Sequence, residues 1–136
     1  MLKKIYMLDT DICSYIIKEN PKQLAKKFIA HEKHDLCISI ITYAELHYGA
    51  IKSKSKEIIK KVKLFTGLLR IIAFDQKAAE CYAVIRSELN NKGTPIGHMD
   101  LLIAASASAI DAVLVTNNTK HFKKISSINV ENWKSN

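Results

Sequence analysis

The sequence predicts an α/β domain built on a central, mostly parallel sheet of four to five strands, with helices on both faces. Three observations carry that expectation. Short apolar runs recur along the chain, and each is followed by a segment of helical periodicity, the mark of strand–helix–strand units. The run A-V-L-V-T at residues 112–116 is apolar rather than alternating, as in a strand buried on both faces. Only four Gly and two Pro occur in 136 residues, and 48% of the chain is hydrophobic, so long linkers have no support in the composition. Parallel neighbours require right-handed crossovers. One domain over residues 1–136 is expected, with no internal repeat.

The elements follow in order. Residues 5–8 (I-Y-M-L) form a first strand ending at Asp9, and Thr10 or Asp11 is placed to cap a helix to about residue 18. Pro21 opens a second helix to about residue 33, and Asp35 marks the break before a second strand at 36–40. Ser39 or Thr42 can cap the next helix, with Gly49 near its expected end. From Ser53 and Ser55 a basic helix begins, in which Ile58, Ile59, Val62, Phe65 and Leu69 share one face. A third strand at 70–74 precedes a helix from about 76 to 91, stopped near Gly93. After the T-P-I-G loop, a helix rich in small residues runs from His98 to Asp111. A fourth strand at 112–116, a short helix to Lys124 and a last strand near 128–130 complete the chain.

Charge narrows the partners. Lys plus Arg number 21 against 13 acids, a net charge of +8, which favours a polyanion. Lys52, Lys54, Lys56, Lys60, Lys61 and Lys63 face a single acid, Glu57, and Lys120, His121, Lys123 and Lys124 form a second basic group. A solvated lysine-rich helix face or an acidic partner protein explains the same pattern. Cys13, Cys37 and Cys81 are odd in number and lie among apolar neighbours, as reduced core residues of a cytoplasmic protein do. No apolar run approaches the ~18 residues of a membrane span, and no export signal is expected.

Three acids stand where a parallel sheet binds ligands. Asp9 follows the first strand, and the carboxyl ends of buried strands are the binding edge of such sheets. A buried carboxylate there needs a cation, hydrogen-bond donors or a raised pKa, although helix capping explains the position equally well. Glu45 shares a helical stripe with Ile41 and Tyr48, expected to face the interior, where a salt bridge is the plainer alternative. Asp100 sits in the first turn of the most apolar helix, a favoured place for an anion. Together they offer hard oxygen ligands suited to Mg2+ or Mn2+, which activate water and stabilise charge on a phosphodiester.

The segments M-L-D-T-D-I, I-T-Y-A-E-L-H-Y-G, G-T-P-I-G-H-M-D-L-L-I-A-A and V-L-V-T-N-N-T-K-H-F, in this order, together with the closing V-E-N-W, resemble the PIN-domain ribonucleases of the VapC toxin type. The resemblance implies a three-layer α/β/α PIN-like fold and magnesium-dependent cleavage of structured RNA, often tRNA. It also implies homodimerisation and neutralisation by a VapB-type antitoxin. By position, Asp9, Glu45 and Asp100 match the three core acids that hold the metal. Two positions depart from the family pattern. Asp11 replaces the usual asparagine of D-T-N, and Asn118 stands at the fourth acidic position of the catalytic set, which favours one metal over two. Thr116 is placed to assist through its hydroxyl.

His98 and His121 are expected to be incidental loop histidines, and Arg86 a salt-bridge or substrate-facing residue. Two rival readings remain open. A haloacid-dehalogenase-type phosphatase would use Asp9 as nucleophile and Asp11 as acid/base, and a PIN-like domain without activity would bind RNA or protein only.

Overall fold

The structure, a computed structural model, describes residues 3–134. Strands β1 (Tyr6–Leu8), β2 (Leu36–Ser39), β3 (Arg70–Ile72), β4 (Val113–Val115) and β5 (Asn129–Glu131) form one sheet in the order β3-β2-β1-β4-β5. Every neighbouring pair is parallel, so the sheet has five strands and no antiparallel member. The helices are α1 (Thr10–Ile17), α2 (Lys22–Ala30), α3 (Ile40–Ser53), α4 (Lys56–Gly67), α5 (Gln76–Asn91), α6 (His98–Ala109) and α7 (Thr119–Phe122).

The apolar runs divide residue by residue between two cores because successive strand side chains point to opposite faces. Leu8, Leu36, Ile38 and Val115 pack with α1, α2, α4 and the inner side of α3, while Met7, Cys37 and Leu114 pack with α5, α6 and α7. Ala104, Ala105 and Ala107 are fully buried, and their small size lets α6 lie close against the sheet. The three-layer α/β/α expectation is met. Burial pushes the Cys37 thiol up to about 12 and the Cys13 thiol well above its ordinary value, so both remain neutral core groups. No described helix is long and apolar enough to cross a membrane.

Strand exits become helix starts through side-chain caps. Asp9 Oδ1 accepts from the Ile12 amide (2.9 Å), Ser39 Oγ from that of Thr42 (3.0 Å) and Asp75 Oδ1 from that of Ala78 (2.9 Å). The cap of α1 is therefore Asp9, not Thr10 or Asp11, because Asp9 has extended backbone and reaches three residues ahead. α2 stops at Ala30 instead of reaching residue 33, and a 3-10 turn at Lys33–Asp35 follows. His31 leaves the helix to stack on Trp133, with ring centroids 4.4 Å apart. α3 passes through Gly49 and ends at Ser53, with Lys54 in the left-handed region at φ 57°. Leu46 and Ala50, both buried, pack on either side of Gly49 and outweigh a helical glycine penalty of about 1 kcal/mol. β3 ends at Ile72 rather than residue 74, while Gly93 (φ 69°) follows α5 as expected.

The grooves on the described surface include two between helices. One, of about 290 Å³, lies between α1, α2 and α4, where Ile29, Leu64 and Leu68 are exposed beside Phe28 and Phe65. The other, of about 540 Å³, runs between α3 and α6.

Candidate active site at the carboxyl edge of the sheet

Chain connections leave β1 toward β2 and β3 on one side, while β4 and β5 lie on the other. The crevice beyond the carboxyl ends of β1 and β4 is thus the switch point where an open parallel sheet receives ligands. Asp9 occupies it. Its amide donates to the Val115 carbonyl (3.0 Å), and the residue is only 5% exposed. Thr116, fully buried, follows β4 at the same edge, and the Asn118 amide donates to Thr116 Oγ1 (2.9 Å). Burial nevertheless pushes the Asp9 pKa up to about 6, with Asp11 and Asp100 adding to the rise while Thr116 and the Ile12 amide oppose it.

Asp100 arrives from the first turn of α6, half-buried. Burial raises its pKa as well, His121 opposes the rise, and Asp11 reinforces it. His121 Nε2 lies 3.3 Å from Asp100 Oδ2. Asp11, exposed in the first turn of α1, completes a group of mutually repelling acids. Glu45 is tied to them through Thr10, the residue next to Asp9. The Thr10 hydroxyl donates to Glu45 Oε1 (2.5 Å) and lies 3.1 Å from Thr42 Oγ1. Glu45 forms no salt bridge among the described residues. The stripe it shares with Ile41 and Tyr48 is only partly interior: Ile41 packs against the second core, whereas Tyr48 is 66% exposed, and all three side chains line the α3–α6 groove with Ala44, Met99 and Leu102. α3 lies against the first core through Leu46 and Ala50, which leaves Tyr48 facing outward.

Asn118 is exposed and contributes only its backbone here, with its carbonyl accepting from the His121 amide (3.1 Å). No three carboxylate oxygens of Asp9, Asp11, Glu45 and Asp100 lie within 4.8 Å of one another. Among the described residues the group that meets that distance is Glu32, His34 and Asp35, which precedes β2 at the opposite edge of the sheet. His34 there pairs with Glu32 (3.0 Å) and Asp35 (3.4 Å), a surface ion-pair cluster away from the crevice.

His121, expected to be incidental, is thus joined to the site. Exposed His98 lines a separate cavity of about 150 Å³ with Arg86 and Asn90. Arg86 makes no salt bridge among the described residues, and its Nη1 donates to the Tyr82 hydroxyl (2.9 Å). Thr10 and Thr42 are hydroxyls of the site that pattern reading missed. The signal was the threonine of D-T-D itself, directly after the strand-end aspartate.

The PIN domain profile matches residues 6–128. The chain is 45% identical over 131 residues to Ribonuclease VapC2 of Rickettsia felis, covering 95% of this chain and 98% of that protein. It is 40% identical over 134 residues to the tRNA(fMet)-specific endonuclease VapC of Salmonella typhimurium, covering 98% and 99%. The chain belongs to the VapC ribonucleases of the PIN-domain family. Solved VapC structures agree. The VapBC2 structure from Rickettsia felis bound to a DNA fragment from their promoter superposes with a TM-score of 0.86 over 95% of this chain and 98% of that one, at 45% identity. The DNA-bound VapBC of Salmonella typhimurium gives 0.89 over 96% and 99%, at 39% identity. This membership sets aside the haloacid-dehalogenase alternative. Asp9 and Asp100 come together at the β1–β4 crevice, and Glu45 approaches from α3 through Thr10.

Proposed function

We propose that this VapC chain is a cytoplasmic, divalent-metal-dependent endoribonuclease toxin that cleaves structured RNA, with tRNA the leading substrate class, and is neutralised by a VapB-type antitoxin. The observation that carries the reading is the pair Asp9 and Asp100, two carboxylates whose pKa values are raised by burial and by neighbouring acids at the β1–β4 crevice. Like charges gathered in one place at such a cost are stabilised by a hard cation. The donors fit Mg2+, with Mn2+ as substitute. They are carboxylates and hydroxyls without a thiolate, the hard oxygen ligands that such an ion takes alongside its retained waters.

Asp9, Glu45 and Asp100 would hold the ion, directly or through waters. When bound, it supplies a water of lowered pKa and neutralises charge on the scissile phosphate. Asp9 is oriented by the Ile12 amide, and Glu45 by Thr10. Asn118 offers an amide where a fourth acid would add charge, which favours a single ion, and Asp11 returns some of that charge at the rim. Exposed Lys56, Lys60 and Lys63 on α4 and Lys120 and Lys123 at α7 hold the RNA backbone. The active form is a homodimer, and the antitoxin sets a basic side chain against the acids, closing the pocket to solvent.

The test is cleavage of total cellular RNA and purified tRNA by wild type and Asp100→Asn, each with magnesium and with EDTA. Discrete fragments from wild type with magnesium alone support the reading. No cleavage in any lane by folded protein free of antitoxin supports a non-catalytic RNA- or protein-binding module instead.

A further inference from the structure

α7 is a single turn held from two directions. Phe122, 1% exposed, is packed in the core with α5 and α6, and the Asn118 carbonyl accepts from the amides of His121 and Phe122. The preceding residue is thereby turned toward the first turn of α6. The His121 ring meets Phe122 edge-on, centroids 5.4 Å apart, and its side chain is 26% exposed with Nε2 3.3 Å from Asp100 Oδ2. We propose that His121 is a positioning residue of the metal site: its Nε2–H donates to Asp100 Oδ2, fixing the carboxylate so that Oδ1 is directed to the ion. The inference rests on the metal-dependent reading above.

Two observations support it. Among the described residues, Asp100 has no other side-chain partner, so without His121 the carboxylate would be free to rotate. The other two acids each have a dedicated donor, the Ile12 amide for Asp9 and Thr10 for Glu45. Asp100 has no such donor among the described hydrogen bonds, and His121 Nε2, 3.3 Å from Oδ2, is the group within reach to supply it. Ligating carboxylates are generally held by such outer hydrogen bonds, and losing one typically weakens metal binding or activity by ~10- to 100-fold. What the proposal requires of residue 121 is an N–H donor at that reach. Glutamine can supply that donor, and alanine cannot.

The experiment is a calorimetric Mn2+ titration at fixed pH of the full chain as wild type, His121→Ala, His121→Gln and Asp100→Asn, with folding of each checked by circular dichroism in EDTA. His121→Ala is expected to bind Mn2+ about tenfold more weakly, and His121→Gln to stay within about twofold of wild type. Equal binding by His121→Ala and wild type overturns the proposal, as does tighter binding, which would mean that the imidazole competes with the ion for Asp100. Wild type that binds Mn2+ no better than Asp100→Asn would overturn the metal-dependent reading itself.

Discussion

Asp9→Asn replaces a buried carboxylate by its neutral isostere and separates what the side chain does for the fold from what it does for the site. The amide oxygen can still accept from the Ile12 amide, so the α1 cap survives, and its NH2 group can meet Thr116. What disappears is the charge. The Asp9 pKa rises from 3.8 to about 6 on folding, and each tenfold change in proton affinity is worth about 1.4 kcal/mol. Because the folded pKa lies above the unfolded one, the wild type suffers no penalty below the unfolded value. The penalty grows as pH rises and levels off above the folded value. For metal-free protein the cost is about 3 kcal/mol near pH 7.5 and about 1 kcal/mol near pH 4.5. Urea unfolding in EDTA should therefore find Asp9→Asn more stable than wild type by roughly those amounts at the two pH values. Mg2+ should then stabilise the wild type and leave the variant unchanged, since only the form that binds an ion gains from it. A stability difference that is equal at both pH values, or a variant less stable near neutrality, would refute the reasoning.

Three further outcomes are expected. Thr10→Val removes the hydroxyl that holds Glu45; RNA cleavage in single turnover should fall about tenfold while urea unfolding moves by no more than about 1 kcal/mol, and unchanged cleavage would free Glu45 of that dependence. Leu114→Ala opens a cavity in the middle of the second core and should cost about 2–5 kcal/mol by urea unfolding, with a smaller loss meaning that α5 and α6 collapse onto the strand. Lys120→Ala with Lys123→Ala, in the Asp100→Asn background, should lower the slope of RNA affinity against salt by about 0.7 for each phosphate that the two lysines neutralise, and an unchanged slope would place the RNA elsewhere.

Legibility from sequence followed the physics of each segment. β4 was readable because an unbroken apolar run of that length has no other use than a strand buried on both faces, and α5 because a strand-end aspartate, long periodicity and Gly93 mark both ends. The end of α3 was not readable. Local preference places a stop at Gly49, and only the packing of Leu46 and Ala50 on the sheet carries the helix onward. The end of α2 depends on Trp133, far away near the other end of the chain, which no local rule can see. Asp9, Glu45 and Asp100 stand out in the sequence as acids at a strand end, within a helix and in a helix's first turn, and the structure brings Asp9 and Asp100 to one crevice. Their supporting partners were harder, because Thr10 reaches across to α3 and His121 across to α6, and such pairings exist only after the chain has closed. For Asp9 the sequence offers capping and a site carboxylate as alternatives, while the order of elements places the α1 cap at Thr10 or Asp11; the structure gives the cap to Asp9, the buried carboxylate at the crevice.

The groove between α1, α2 and α4 bears on how the isolated chain behaves in solution. Ile29 is 73% exposed, Leu64 64% and Leu68 56%, an apolar strip that would draw copies together. The net charge of +8 opposes that attraction by mutual repulsion. Added salt screens the repulsion within about 10 Å at 0.1 M and does nothing to weaken the apolar attraction. Colloidal stability of the partner-free chain therefore falls as ionic strength rises, and the high-salt washes that strip bound RNA from a basic protein promote its self-association.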